Sequence, residues 1–239
     1  MNYSLLLFYH GPIWELFLLL LAENIILALL AVLMGVLLLK TQGKTFEMPD
    51  KREGKFFCLT VLINTIITYL GFLFYSLGTI GIRLSFDFSI VTDFILIVLV
   101  MDLLTWSFHF ILHRKVFFDK IHYISHSSKK LTPASLFVIH PLESLMLGFL
   151  WLAFLSFFSL NIFSIILFLV FHVIMGIVAN LGINIQAPES QFLRIFVSPA
   201  FHSEHHKSRS INFGFYTKVW DNLFKTLSVR RTNFAKDTL

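Results

Sequence analysis

Four apolar runs dominate this chain of 239 residues, and each is too long for the core of a small soluble domain. Ile13–Leu39, Phe56–Ile82 and Phe88–Leu112 all exceed the roughly 20 residues that cross about 30 Å of hydrocarbon at about 1.5 Å per residue. The fourth, Leu142–Ile185, is about twice that length and carries a polar break at Ser159-Leu160-Asn161, which suits a tight turn. The pattern predicts an all-α membrane protein with about five transmembrane helices: three spans, then a helical hairpin, under a cytosolic helical cap. Composition agrees, because 56% of the residues are hydrophobic and 14% are charged, against about 25% charged in soluble domains. A single cysteine, Cys58, excludes an internal disulfide. Residues 1–12 carry no Lys or Arg, and the first run exceeds the roughly 7–15 apolar residues of a signal peptide. It therefore reads as a retained helix.

With the N-terminus outside, the loop 40–55, the segment 113–141 and everything after 186 fall inside. Of the 19 Lys and Arg residues only Arg83 then lies outside. This is the asymmetry of the positive-inside rule, and it accounts for the net charge of +5 without nucleic acid. No nucleic-acid partner is expected. The chain divides into N-terminal transmembrane helices (1–87) and a second unit (88–239) that contains the third span, the hairpin and a more polar C-terminal module.

Nine of the ten histidines lie in or beside the inward segments. His109 and His113 are four apart at the cytosolic end of the third span, and His122 and His126 repeat that spacing. His202, His205 and His206 share one helical face. His140 precedes Pro141 at the mouth of the hairpin, and His172 lies in its returning helix. Neutral imidazoles suit iron, zinc, copper or nickel, and nine donors are too many for one ion, so a dimetal site is expected. No cysteine accompanies the histidines, which argues against iron–sulfur chemistry. The Glu-x-x-His pattern of carboxylate-bridged bundles is also missing.

The order of these motifs resembles the fatty acid hydroxylase/sterol desaturase superfamily of integral-membrane, histidine-box di-iron oxygenases. Asp102-Leu-Leu-Thr-Trp106-Ser-Phe-His109-Phe-Ile-Leu-His113 is similar to its first box. His122-Tyr-Ile-Ser125-His126-Ser127 stands where its H-x2-H-H-S box lies, and His140-Pro141-Leu142-Glu143 resembles its H-P-x-E element. Phe171-His172 and Asn180-Leu181-Gly182 resemble a helix that carries His and then Gly-His-x-Gly. His202-Ser-Glu-His205-His206, Asn212-Phe213-Gly214 and Trp220-Asp221-Asn222-Leu223-Phe224-Lys225-Thr226 follow the third box and its W-D-x-x-F-x-T ending. Ser125 and Asn180 replace histidines of the pattern, and Phe110 replaces an arginine.

The resemblance implies two iron ions, which zinc can replace on purification, and dioxygen-dependent hydroxylation or desaturation of an apolar lipid such as a fatty acyl chain or sterol. The implied ligands are His109, His113, His122, His126, His140, His172, His202, His205 and His206. Asp102 and Glu143 are placed to orient ligand imidazoles, and Ser125 and Asn180 to act as weak ligands or water holders. The sequence has no haem or flavin signature, so electrons are expected from a separate carrier, a ferredoxin or a b-type cytochrome with its reductase. The short chain without fused domains suggests a bacterial inner membrane. Ser125 and Asn180 motivate an alternative, a non-catalytic lipid- or metal-binding descendant. Glu15, Glu23 and Asn24 within the first run are expected to pair with other helices or subunits.

Overall fold

The computed structural model describes residues 12–128, 130–183 and 193–228, and the chain is mostly helical over them. Helix α1 (Ile13–Thr41) is followed by α2 (Lys51–Ser76) and α3 (Ser89–Leu112). Two short helices, α4 (Lys115–Phe117) and α5 (Tyr123–His126), flank a π-helical turn, Phe118–His122. Helices α6 (Pro141–Phe157) and α7 (Ile162–Ala179) form the hairpin, and α8 (Pro199–Lys207) and α9 (Val219–Leu223) belong to the C-terminal module. Among the described residues four helices, α1, α2, α3 and α7, are long and apolar enough to cross a membrane, whereas α6 is a shorter apolar helix. The expected hairpin is thus present but unequal. Ile185, the expected end of its second arm, lies outside the described residues.

Local chemistry sets the boundaries. Helix α2 starts earlier than the apolar run because Asp50 and Glu53 form a capping box, with Glu53 N–H donating to Asp50 Oδ1 at 2.8 Å and Asp50 N–H to Glu53 Oε2 at 3.1 Å. It ends at Ser76, short of Ile82, and Gly78 takes up a φ of +75° just beyond it. Ile82 instead pairs with Leu160, and Arg83 with Asn161, in a two-residue parallel ladder. Asn161 then caps α7 by accepting from Phe163 N–H at 3.0 Å. The polar break in the fourth run is therefore both a strand and a helix cap.

One buried carboxylate ties this end of the bundle together. Asp93 accepts from Arg83 at 2.7 Å and from the Asn161 N–H at 2.8 Å, while Arg83 Nε also donates to Ser159 O. The hairpin turn is thereby fastened to the start of α3.

Helix α2 packs on both α1 and α6, α3 packs on α7, and α7 also touches α1 and α8. The main core joins Ile63 and Ile67 of α2, Ile97 and Met101 of α3, Leu152 of α6 and Phe168 of α7 to Tyr216 of the C-terminal module. The close approach of α2 and α6 needs Gly148, since a Cβ there would collide with Ile67. Gly148→Ala should lower stability by about 1–3 kcal/mol, and adding Ile67→Ala should restore part of the loss. Thermal unfolding in detergent checks this, with the single Ile67→Ala variant as control.

Candidate metal centre

Three separated stretches bring imidazoles to one place. The last turn of α3 carries His109 and ends at its cap residue His113. The next turns carry His122 and His126, and the π-helical widening at Phe118–His122 is the kind of irregularity often found at functional sites. Helix α8, started by Ser198 and by Pro199 at its first position, carries His202, His205 and His206. Each of His109, His113, His122, His126 and His205 offers a ring nitrogen, and these five atoms all lie within 4.8 Å of one another.

Tautomers decide what the nitrogens can do. His109 Nδ1 lies 2.8 Å from the carbonyl oxygen of Phe213, and His205 Nδ1 lies 2.7 Å from that of Ile211. A carbonyl only accepts, so each Nδ1 carries the proton and each neutral ring presents a lone pair at Nε2. His122 Nδ1 donates likewise to the Glu143 carboxylate at 3.0 Å. His109 Nε2 and His122 Nε2 therefore face each other at 3.1 Å as two lone pairs. His113 Nε2 stands 3.2 Å from His109 Nε2. Lone pairs this close repel unless a cation lies between them. Moreover, both nitrogens of His126 and His205 Nε2 are buried with no hydrogen-bond partner among the described residues, and such atoms are costly unless something binds them. The donor set fits a transition metal.

Burial keeps five of the clustered rings neutral. It pushes His113 from 6.5 down to about 3 and His206 to about 4, with His122 adding to both effects. His126, His202 and His205 are also held below the ordinary range, first by burial and then by neighbouring imidazoles.

The other expected residues are distributed unevenly. His202 and His206 adjoin the five-ring group, with their Nε2 atoms 3.1 Å apart and His206 stacked on His126 at 4.3 Å between centroids. His140 stands outside the five-ring group. Pro141 opens α6, and His140 Nδ1 accepts from the otherwise unpaired Leu142 N–H at 3.1 Å as the helix cap. His172 is likewise outside it, with Nδ1 2.7 Å from the buried Tyr216 hydroxyl and its ring stacked on Phe215. Glu143 is 5% exposed and its carboxylate faces His122 Nδ1. Ser125 donates weakly to the same carboxylate at 3.4 Å, and the Asn180 amide donates to Gly176 O at 2.9 Å. Asp102 meets the C-terminal module. Its carboxylate accepts from the Thr217 N–H and hydroxyl, so it anchors the C-terminal module to α3.

Sequence reasoning missed the residues that hold the acceptor carbonyls. Asp221, wholly buried, accepts from Phe213 N–H at 2.8 Å, Gly214 N–H at 2.7 Å and Thr226 Oγ1 at 2.6 Å. Asn212, at a φ of 61°, donates to Phe201 O at 3.2 Å. Together they fix the loop whose Ile211 and Phe213 carbonyls set the His205 and His109 tautomers. The signal available was an aspartate eight residues beyond Phe213. Trp106 completes the join by stacking on Phe110 at 5.3 Å and on Phe224 at 4.6 Å. Beside His126 and His206 opens a cavity of about 680 Å³, walled by Leu39, Leu131, Leu181 and Ile183 with Lys44 and Lys207 also lining it.

A family model for fatty acid hydroxylase matches residues 94–226, more than half of the chain. The chain belongs to the fatty acid hydroxylase family. That family falls within the fatty acid hydroxylase/sterol desaturase superfamily, and the matched stretch of the fatty acid hydroxylase model contains all nine clustered or expected histidines as well as Asp102, Ser125, Glu143 and Asn180. No curated protein and no solved structure matches the chain.

Two outcomes follow from the tautomer arrangement. Glu143→Ala should weaken metal binding by about 10–100-fold, measured by competition with a chelator. The metal-free protein should lose stability as the pH falls below 6.5 towards about 3–4, because the unfolded chain binds protons that folded His113 and His206 refuse. Unfolding midpoints across that range check the sign.

Proposed function

We propose that this protein is a dioxygen-dependent lipid oxidoreductase that uses two iron ions to hydroxylate or desaturate an apolar substrate, a fatty acyl chain, a sterol or a related lipid. The facing Nε2 atoms of His109 and His122 carry this reading, in a chain of a hydroxylase family with several membrane-length helices. His109, His113, His122, His126 and His205, with the adjoining His202 and His206, would hold the metal. Bound iron would supply the activation of dioxygen that attack on an unactivated C–H bond requires.

The chain's own residues prepare the site. Glu143 holds a proton at His122 Nδ1, and the Phe213 and Ile211 carbonyls hold protons at His109 Nδ1 and His205 Nδ1, so the Nε2 atoms stay basic and aimed inward. Burial excludes water from His205 and His122, which are 0% and 4% exposed. The cavity beside His126 and His206 offers an apolar wall of Leu131, Leu181 and Ile183 for a lipid chain. We assign the electrons to an external carrier, a ferredoxin or a b-type cytochrome with its reductase. The proposed setting is a bacterial inner membrane with the N-terminus outside and the histidines at the cytosolic face.

A second reading, a non-catalytic lipid- or metal-binding descendant, is favoured by Ser125 and Asn180, which present a hydroxyl and an amide already engaged with Glu143 and Gly176. Mass spectrometry of lipids from cells with and without the gene separates the two. A product heavier by about 16 mass units marks hydroxylation and one lighter by about 2 marks desaturation, and either should vanish in the His109→Ala variant. An unchanged lipid profile, with turnover gained only by Ser125→His and Asn180→His, would favour the second reading.

A further inference from the structure

The clustered imidazoles do not form one even group. Five ring nitrogens, from His109, His113, His122, His126 and His205, all lie within 4.8 Å of one another. A single ion with nitrogen donors at about 2.0–2.1 Å has its most distant ligands about 4.0–4.2 Å apart, and a small inward turn of the rings closes the difference. Two ions about 3.5–4 Å apart would instead set the ligands on their outer sides at roughly twice that separation. The five atoms therefore outline the shell of one ion. Three of them are already aimed, because Phe213 O, Glu143 and Ile211 O engage the far nitrogens of His109, His122 and His205.

His202 and His206 stand beside that shell rather than in it. They lie one turn apart on α8 with their Nε2 atoms 3.1 Å from each other, and neighbouring ligands of one ion at about 2.1 Å are about 3.0–3.4 Å apart. The pair fits one further ion. Ser125 and Asn180, at histidine positions of the family pattern, add no imidazole to it. His206 also lines the cavity of about 680 Å³. Among the described residues His126 alone of the five-ring group does so, while His205 and His122 are 0% and 4% exposed.

We infer that the two ions of the proposed centre are held unequally: one is enclosed by the five-imidazole group, and the other rests on His202 and His206 and takes its remaining ligands from the cavity. The outer ion is then the one that leaves first and the one that small ligands reach. Losing a hydrogen-bonded partner of a ligand already costs about 10–100-fold in metal affinity, so a difference of three imidazoles separates the two ions by at least that much. The inference rests on the two-ion reading above and adds to it which residues hold each ion.

Cobalt(II) tests it, because its bound form is counted by elemental analysis and seen in the visible spectrum. Purified full-length protein loaded with cobalt in detergent should lose its metal to a chelator in two steps, half of it at chelator concentrations at least about 10–100-fold lower than the rest. The double variant His202→Ala/His206→Ala should keep the tightly held half with its affinity unchanged, and His109→Ala/His122→Ala should lose it. Azide should change the spectrum of the fully loaded parent and leave that of the His202→Ala/His206→Ala protein unaltered. Loss in a single step from the parent would overturn the inference without any variant, as would uptake of only one ion, the mark of a pair that merely shares a hydrogen bond. So would loss of both ions on replacing His202 and His206. Two equally held ions in a protein that still oxidises lipid would refute the inequality and keep the proposed function; a protein that takes up no cobalt would remove both.

Discussion

The fold is organised around a repulsion that it does not itself relieve. Lone pairs on His109 and His122 point at each other from 3.1 Å, because Phe213 O and Glu143 hold the only proton of each neutral ring on its far side. His205 is held in the same sense by Ile211 O. A protein gains nothing from crowding buried lone pairs unless a cation joins them. The structure at this end of the bundle supports that arrangement: the cap residue at the end of α3, the widened turn after it, and α8 braced by the loop that Asp221 clamps.

The opposite end of the bundle has a different task. Asp93, Arg83 and Asn161 tie the hairpin turn to the start of α3, while α3 and α7 pack along their lengths. That anchorage fixes the end of α3 remote from the histidines. At the near end, Asp102 bonds to Thr217, and Trp106 stacks on Phe110 and Phe224. The polar module is thus fastened to a membrane-length helix by a buried carboxylate and a run of stacked rings.

Much of this was legible in the sequence because the signals were periodic. Apolar runs gave the long helices, and i,i+4 spacing placed His109 with His113, His122 with His126 and His202 with His206. Less legible was anything set by a competing local bond. His140 caps α6, because the Leu142 N–H lies in the first helical turn, where no carbonyl of the helix reaches it, and His140 Nδ1 accepts from it. His172 is paired with Tyr216 from a distant segment, a contact no spacing announces. Asp102 shares a helical face with His109, yet its carboxylate accepts from Thr217, 115 residues further along the chain. Helix ends shifted for the same kind of reason, as the capping box at Asp50 and Glu53 shows.

The decisive quantity is the metal bound by the purified protein. Elemental analysis of protein prepared in detergent from iron-supplied cells, with X-ray absorption at the edge of the metal found, reads both its amount and its neighbours. Convergent imidazoles require near-stoichiometric transition metal with nitrogen ligands at about 2.0–2.2 Å, lost when His109 and His122 are both replaced by alanine. A protein that carries no transition metal, or one whose metal content and ligand shell survive that double replacement, would contradict it.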